Sequence, residues 1–140
     1  MRRPRRGSRR LRAEIARLGL ADRITLLGAV TPGELSPLYA CTDLFVLPSR
    51  FEGYGMAYTE AIAHGVPVIG TTAGAVPQTV PAEAGVLVAP DDVEALTATL
   101  QRLIANPHER ERLAAGARAA KFPSWSEQAA LFARVLESLA

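Results

Sequence analysis

Two glutamates with seven residues between them, Glu52 and Glu60, bracket a turn that carries Gly53 and Gly55. A carboxylate presents two acceptor oxygens and suits a vicinal pair of hydroxyls, as on ribose or a hexose. The glycines let backbone approach a ligand closely. Free amides where the turn, Ser49–Gly55, runs into the next helix form an anion site suited to a phosphate. Hydroxyls held by two acids and phosphate held by amides together describe a nucleotide sugar. Taken alone, the pair has a simpler reading: Glu60 caps or pairs locally, and Glu52 is a surface residue. The helix around Glu60 is otherwise apolar or small (Met56, Ala57, Ala61, Ile62, Ala63). Its carboxylate must therefore be solvated, paired or hydrogen-bonded, because burying it bare costs several kcal/mol.

The other reactive side chains have structural readings. His64 falls in a last helical turn, where the dipole favours it, and His108 follows a proline in a capping motif at the surface. Asp91-Asp92 caps the next helix more readily than it binds a metal. The single cysteine, Cys41, excludes an internal disulfide framework and reads as inert core in an apolar helix face. Trp125 starts the last helix and packs it down.

Short apolar runs alternate with helical patterns along the chain. Leu11, Ile15 and Leu18 predict a helix over 9–18, stopped by Gly19. Ile24–Leu27 reads as a buried strand bounded by Gly28. Thr31-Pro32-Gly33-Glu34 opens a second helix with a capping box. Leu44–Leu47 is a second strand, ended by Pro48. A helix over Met56–His64 closes at Gly65, and Val66–Gly70 is a third strand. After a loop over Thr71–Val80, Gly85–Ala89 is a fourth. Leu96, Leu100, Leu103 and Ile104 form one helix face. Asn106-Pro107-His108-Glu109 and Ser124-Trp125-Ser126-Glu127 start two more helices, the last with a stripe of Phe132, Val135, Leu136 and Leu139. Strands apolar throughout and alternating with helices predict an α/β, doubly wound parallel sheet with ligands beyond the strands' carboxyl ends. Two further strands would precede residue 9 in such a sheet.

The length, 140 residues at 49% hydrophobic, suits one domain. Seven of the sixteen basic residues are arginines within the first twelve positions, so the overall charge of +2 hides an acidic body. Such a tail suits nucleic acid or an anionic lipid surface; the simpler expectation is a solvated, disordered start over 1–8. No aromatic sits among the arginines, which argues against base stacking and nucleic acid; peripheral membrane contact remains among the readings. No run reaches the ~20 apolar residues of a membrane span, and charged Arg12, Glu14 and Arg17 break any signal peptide. The expected setting is cytoplasmic.

Phe51-Glu52-Gly53-Tyr54-Gly55, Glu60-Ala61 and Gly65-Val66-Pro67-Val68-Ile69, continued by Gly74-Ala75-Val76-Pro77 and Gly85-Val86-Leu87-Val88-Ala89-Pro90, resemble the retaining, nucleotide-sugar-dependent glycosyltransferases of family four. The stretch is similar to the carboxyl-terminal, donor-binding, Rossmann-like half of their two-domain GT-B fold. The likeness covers roughly 9–140, and 1–8 match nothing in it. It implies that Glu52 contacts hydroxyls of the transferred sugar and that Glu60 holds the ribose diol. It places amides of Gly53, Tyr54, Gly55 and Met56 at the sugar and diphosphate, and the backbone near Val30 beside the base, with no bound metal or other cofactor. The family's amino-terminal acceptor half, its glycine-rich turn and its Arg/Lys pair have no counterpart here. Arg50 is not at the family's position, and Gln78 stands where relatives often carry an acid. The expectation is therefore a fold truncated on its amino-terminal side: a fragment, or one piece of a split hexosyltransferase whose acceptor half is missing or a separate chain. The alternatives are a non-catalytic α/β interaction module docking on such a chain and, less favoured, a nucleotide-sugar epimerase.

Overall fold

The computed structural model describes residues 6–123 and 125–138, with Arg6, Gly7, Ser8 and Trp125 described by backbone alone. Residues 1–5 of the expected tail, the Ser124 cap, the Trp125 side chain and Leu139 lie outside the described features. In chain order the elements are α1 (Arg6–Arg17), α2 (Pro32–Ala40), β1 (Phe45–Val46), α3 (Met56–Ala63), β2 (Val68–Thr71), α4 (Val76–Thr79), β3 (Gly85–Val88), α5 (Val93–Ala105), α6 (Pro107–Ala119) and α7 (Trp125–Glu137). They fall into two compact units divided after Leu35.

In the first unit α1 begins at Arg6, earlier than its periodicity predicts, and turns out through Gly19 at φ 65°. Only Ile15 of its apolar stripe is buried. The expected strand Ile24–Leu27 does not form. The Ile24 amide closes a turn onto the Leu20 carbonyl at 3.0 Å, and Ile24 and Leu27 stay 40% and 57% exposed. A strand exists only as part of a ladder, and no described strand pairs with this segment. The Thr31 box does form: the Glu34 carboxylate accepts from the Thr31 amide at 2.7 Å and from its hydroxyl at 2.8 Å. These two bonds hold the Glu34 carboxyl below the usual carboxylate range.

The second unit is built on a parallel sheet of order β1-β2-β3, three strands where the sequence reading has four. Phe45 pairs with Val68, Val46 with Ile69, and Val68 to Thr71 run beside Gly85 to Val88. β2 is central and buried on both faces, which is why it reads as an unbroken apolar run. Successive side chains point to opposite faces. Ile69 packs against Leu103 of α5 and Leu113 of α6, with Val46, Val86, Leu96 and Leu100 around them. Gly70, one residue on, lies under the Tyr58 ring of α3, so close that a Cβ would meet Tyr58 Cε1 at 2.8 Å. Helices thus cover both faces, and the α/β parallel architecture expected from the pattern is present.

The caps do what their residues dictate. Asp92 Oδ1 accepts from the Ala95 amide at 2.8 Å, and Asn106 Oδ1 from the Glu109 amide at 3.1 Å. The second half of the Asn106 box is not made, because the Glu109 carboxylate pairs with Arg102 instead. One turn of helix, α4, interrupts the expected loop; at four residues it is too short to show a period. Three packing expectations are corrected. Ile104 is 66% exposed, outside the face that Leu96, Leu100 and Leu103 supply. Cys41 lies past the end of α2 and is exposed, its Sγ directed to the Leu38 carbonyl. Phe132, Val135 and Leu136 of α7 are exposed.

Candidate functional site

The segment from Leu47 to Gly55 leaves the carboxyl end of β1 and enters α3. Four of its carbonyls are held by donors from later in the chain. The Tyr58 hydroxyl donates to Leu47 O, Thr71 Oγ1 to Ser49 O at 2.5 Å, the Ala75 amide to Glu52 O at 3.0 Å, and Thr79 Oγ1 to Tyr54 O at 2.5 Å. Arg50 Nε reaches Asp91 Oδ1 at 2.7 Å, pinning the loop to the turn after β3. With these carbonyls bonded, the second half of the loop keeps its amides free. Among the described residues, those of Gly53, Tyr54, Gly55, Met56 and Ala57 have no hydrogen-bond acceptor. No side chain caps α3, and its first turn holds no acid. The partial positive charge of that helix start is therefore unneutralised by the chain itself.

The two glycines serve different ends. Gly55 sits at φ 80°, which an L side chain resists, and a Cβ there would meet Tyr58 Cδ2 at 3.1 Å. Gly53 has nothing within 4 Å of its Cβ position and an ordinary φ. Its contribution is open space beside the free amides.

Glu52 is half-buried, and its Oε1 accepts from Ser49 Oγ at 2.7 Å. Its backbone packs against Gly74, so side chain and main chain are both fixed. Burial, and then the Glu52 charge, push the Tyr58 phenol above its usual range, against an opposing Ser49 hydrogen bond. Glu60 lies on the exposed side of α3, and among the described residues its carboxylate has no hydrogen-bond or ion-pair partner. It is solvated, one of the three states the sequence allows it. Burial and then the Glu60 charge raise the Tyr39 phenol. Tyr54 and Met56 are exposed at 62% and 60%. Val30, 37% exposed, belongs to the first unit.

Ser49, Tyr58, Thr71, Thr79 and Asp91 are the supports that sequence reasoning missed. Only Tyr58, a hydroxyl on the buried face of a short apolar helix, gave a signal. His64 is committed elsewhere: its Nδ1 donates to Glu60 O at 2.9 Å, since a carbonyl can only accept, and its Nε2 lies 3.3 Å from Ser36 Oγ. Its ring stacks on Tyr39, centroids 4.9 Å apart. His108 is exposed.

Two of the cavities among the described residues of this unit are lined by neither Glu52 nor Glu60. One of about 540 Å³ has His64, Pro67, Arg110, Glu111 and Arg118 among its walls, toward the amino end of β2. A smaller one of about 280 Å³ lies beyond the carboxyl ends of the strands, between Pro48, Arg50, Thr71, Val88 and Leu96. Among the described residues, no three His, Cys, Asp or Glu side chains are grouped to hold a metal ion, and no helix is long and apolar enough to cross a membrane.

The family model described as "Glycosyl transferases group 1" matches residues 3–106. The match begins earlier than the likeness read from the motifs. An MMP alpha-(1->4)-mannosyltransferase of Mycolicibacterium hassiacum is 37% identical over 127 residues, which is 88% of this chain and 31% of that protein. Among solved structures, a sucrose-phosphate synthase of Thermosynechococcus elongatus superposes with a TM-score of 0.79 at 32% identity, over 94% of this chain and 34% of that one. HepE of Anabaena in complex with UDP-glucose gives 0.71 at 28% identity, over 80% of this chain and 31% of that one. The chain thus spans about a third of the length of the relatives it matches.

Proposed function

This chain belongs to the group 1 glycosyl transferases, of GT-B type, and on that premise we propose that it is the donor-binding half of a retaining, family-four enzyme that moves a hexosyl group from a nucleotide-diphosphate sugar to an acceptor. The observation that carries the reading is the loop before α3, whose carbonyls are drawn inward while the amides of Gly53 to Ala57 stay unpaired beside Glu52. A diphosphate supplies the acceptors those amides lack, and the uncapped helix start stabilises charge that develops as the diphosphate departs. Glu52, held by Ser49, orients the sugar through its hydroxyls, so that the acceptor hydroxyl attacks on the face the leaving group vacates. Glu60 takes the ribose diol. The site is assigned no metal ion; amides at the start of α3 hold the diphosphate, and the Arg/Lys pair that neutralises it in the family is not among these residues. The UDP-glucose held by HepE supports a nucleotide-sugar donor. The acceptor half of the enzyme is a domain or chain beyond these residues.

Thermal unfolding with a panel of nucleoside diphosphates tests this. One base should stabilise the chain, by about 2.7 kcal/mol at a hundredfold excess over its dissociation constant, while sugar transfer by the 140-residue chain alone is negligible. Stabilisation by none of them would contradict the donor reading and favour the non-catalytic module; turnover by the isolated chain would contradict its dependence on a second half.

A further inference from the structure

We propose that Asp91 is a positioning residue for the donor sugar, acting by holding Arg50 away from the Glu52 carboxylate. Arg50 is the one lysine or arginine between Arg23 and Arg102, so it is the cation with the shortest path along the chain to the loop. It lies two residues before Glu52, and two residues of chain span at most about 7 Å. A guanidinium on an arginine stem covers that distance and pairs with a carboxylate through both oxygens at once. No such ion pair forms: Arg50 Nε donates to Asp91 Oδ1 at 2.7 Å instead. Glu52 keeps a hydroxyl as its partner. Ser49 Oγ has a single proton, which goes to Oε1, and among the described residues Oε2 has no partner. That second oxygen is the one open to a sugar hydroxyl.

Capping does not account for Asp91. The helix that follows takes its cap from Asp92, whose Oδ1 accepts from the Ala95 amide. Yet Asp91 stands at φ 62°, the one positive φ outside glycine among the described residues. Backbone of that kind is held in place at a cost and concentrates at functional sites. The Arg50 bond joins the turn after β3 to the loop after β1 over 41 residues, and a tie that merely pins the loop is the competing explanation. The two differ in what removal of Arg50 does. A tie is broken by losing either partner, whereas a cation that competes for Glu52 only when released does no harm once it is gone. The inference rests on the reading of Glu52 as the residue that meets the sugar. It confines the loss to the sugar, because Asp91 acts on Glu52 and not on the amides of Gly53 to Ala57.

Titration calorimetry of the full chain with UDP and UDP-glucose, and with GDP and GDP-mannose, gives the affinity for nucleotide sugar relative to nucleoside diphosphate. Asparagine tolerates left-handed backbone, so Asp91→Asn should keep the turn. It should lower that ratio about fivefold or more, the equivalent of one lost hydrogen bond, with diphosphate affinity unchanged. Arg50→Gln alone should leave the ratio within about twofold of the parent, and Arg50→Gln/Asp91→Asn should restore it. An equal loss in Arg50→Gln, or no recovery in the double variant, overturns the proposal. So does a rise in diphosphate affinity in Asp91→Asn that Arg50→Gln abolishes, which would send the freed cation to the phosphates. Glu52→Gln separates this inference from the reading beneath it. A ratio lowered by Glu52→Gln but not by Asp91→Asn overturns this inference alone. A ratio that Glu52→Gln leaves unchanged, or binding of none of the four probes, overturns the sugar reading and this inference with it.

Discussion

Glu60→Ala should weaken nucleoside diphosphate binding by about 1.5–3 kcal/mol, the range for hydrogen bonds to a charged group. That is a rise in dissociation constant of about 10- to 150-fold. The substitution is clean because the carboxylate is exposed and unpaired among the described residues. Alanine also suits a helix at least as well as glutamate, so unfolding should move by no more than about 0.5 kcal/mol. Titration calorimetry on parent and variant gives the answer. An unchanged dissociation constant removes Glu60 from the site; a lost fold would show instead that its solvated position hides a structural role.

Gly74→Ala should be the most damaging single methyl addition near the loop. Gly74 sits at φ 58°, and a Cβ there would lie 2.3 Å from the Glu52 carbonyl oxygen. Left-handed backbone costs an L residue about 1–2 kcal/mol, and the clash, against main chain that cannot rotate away, adds about 1–3 kcal/mol. The expected result is a urea midpoint lowered by the equivalent of about 2–5 kcal/mol with an unchanged slope. Below that midpoint, nucleoside diphosphate affinity should also fall, because the displaced atom belongs to Glu52. Gly53→Ala is the control: its Cβ meets nothing within 4 Å, so the fold should survive within about 1 kcal/mol. Equal stability of the two variants would mean that the 74 turn does not hold the loop.

The elements that position the loop were legible wherever local chemistry settles the outcome. Asp92 and Asn106 cap as their residue types demand, and the apolar runs at Phe45, Val68 and Gly85 become strands because each finds a parallel neighbour. Ile24–Leu27 has the same composition without the neighbour, and composition alone cannot supply one. The stripes of α1 and α7 were visible as stripes, but periodicity says which side is apolar and not what covers it. Glu52, Gly53 and Gly55 were legible as a pattern. Their supports were not: Thr71 and Thr79 reach carbonyls 22 and 25 residues away, and Asp91 pairs with Arg50 across 41. Hydroxyls and carbonyls are too common for such pairings to be read before the fold brings them together.

The most direct test of the donor cradle follows backbone amides rather than side chains. In an ¹⁵N-labelled sample of the whole chain, saturation with the nucleoside diphosphate that stabilises it should shift the amides of Gly53, Tyr54, Gly55, Met56 and Ala57 most. Shifts confined to the cavity around His64 and Arg118, with the loop before α3 unmoved, would contradict the account.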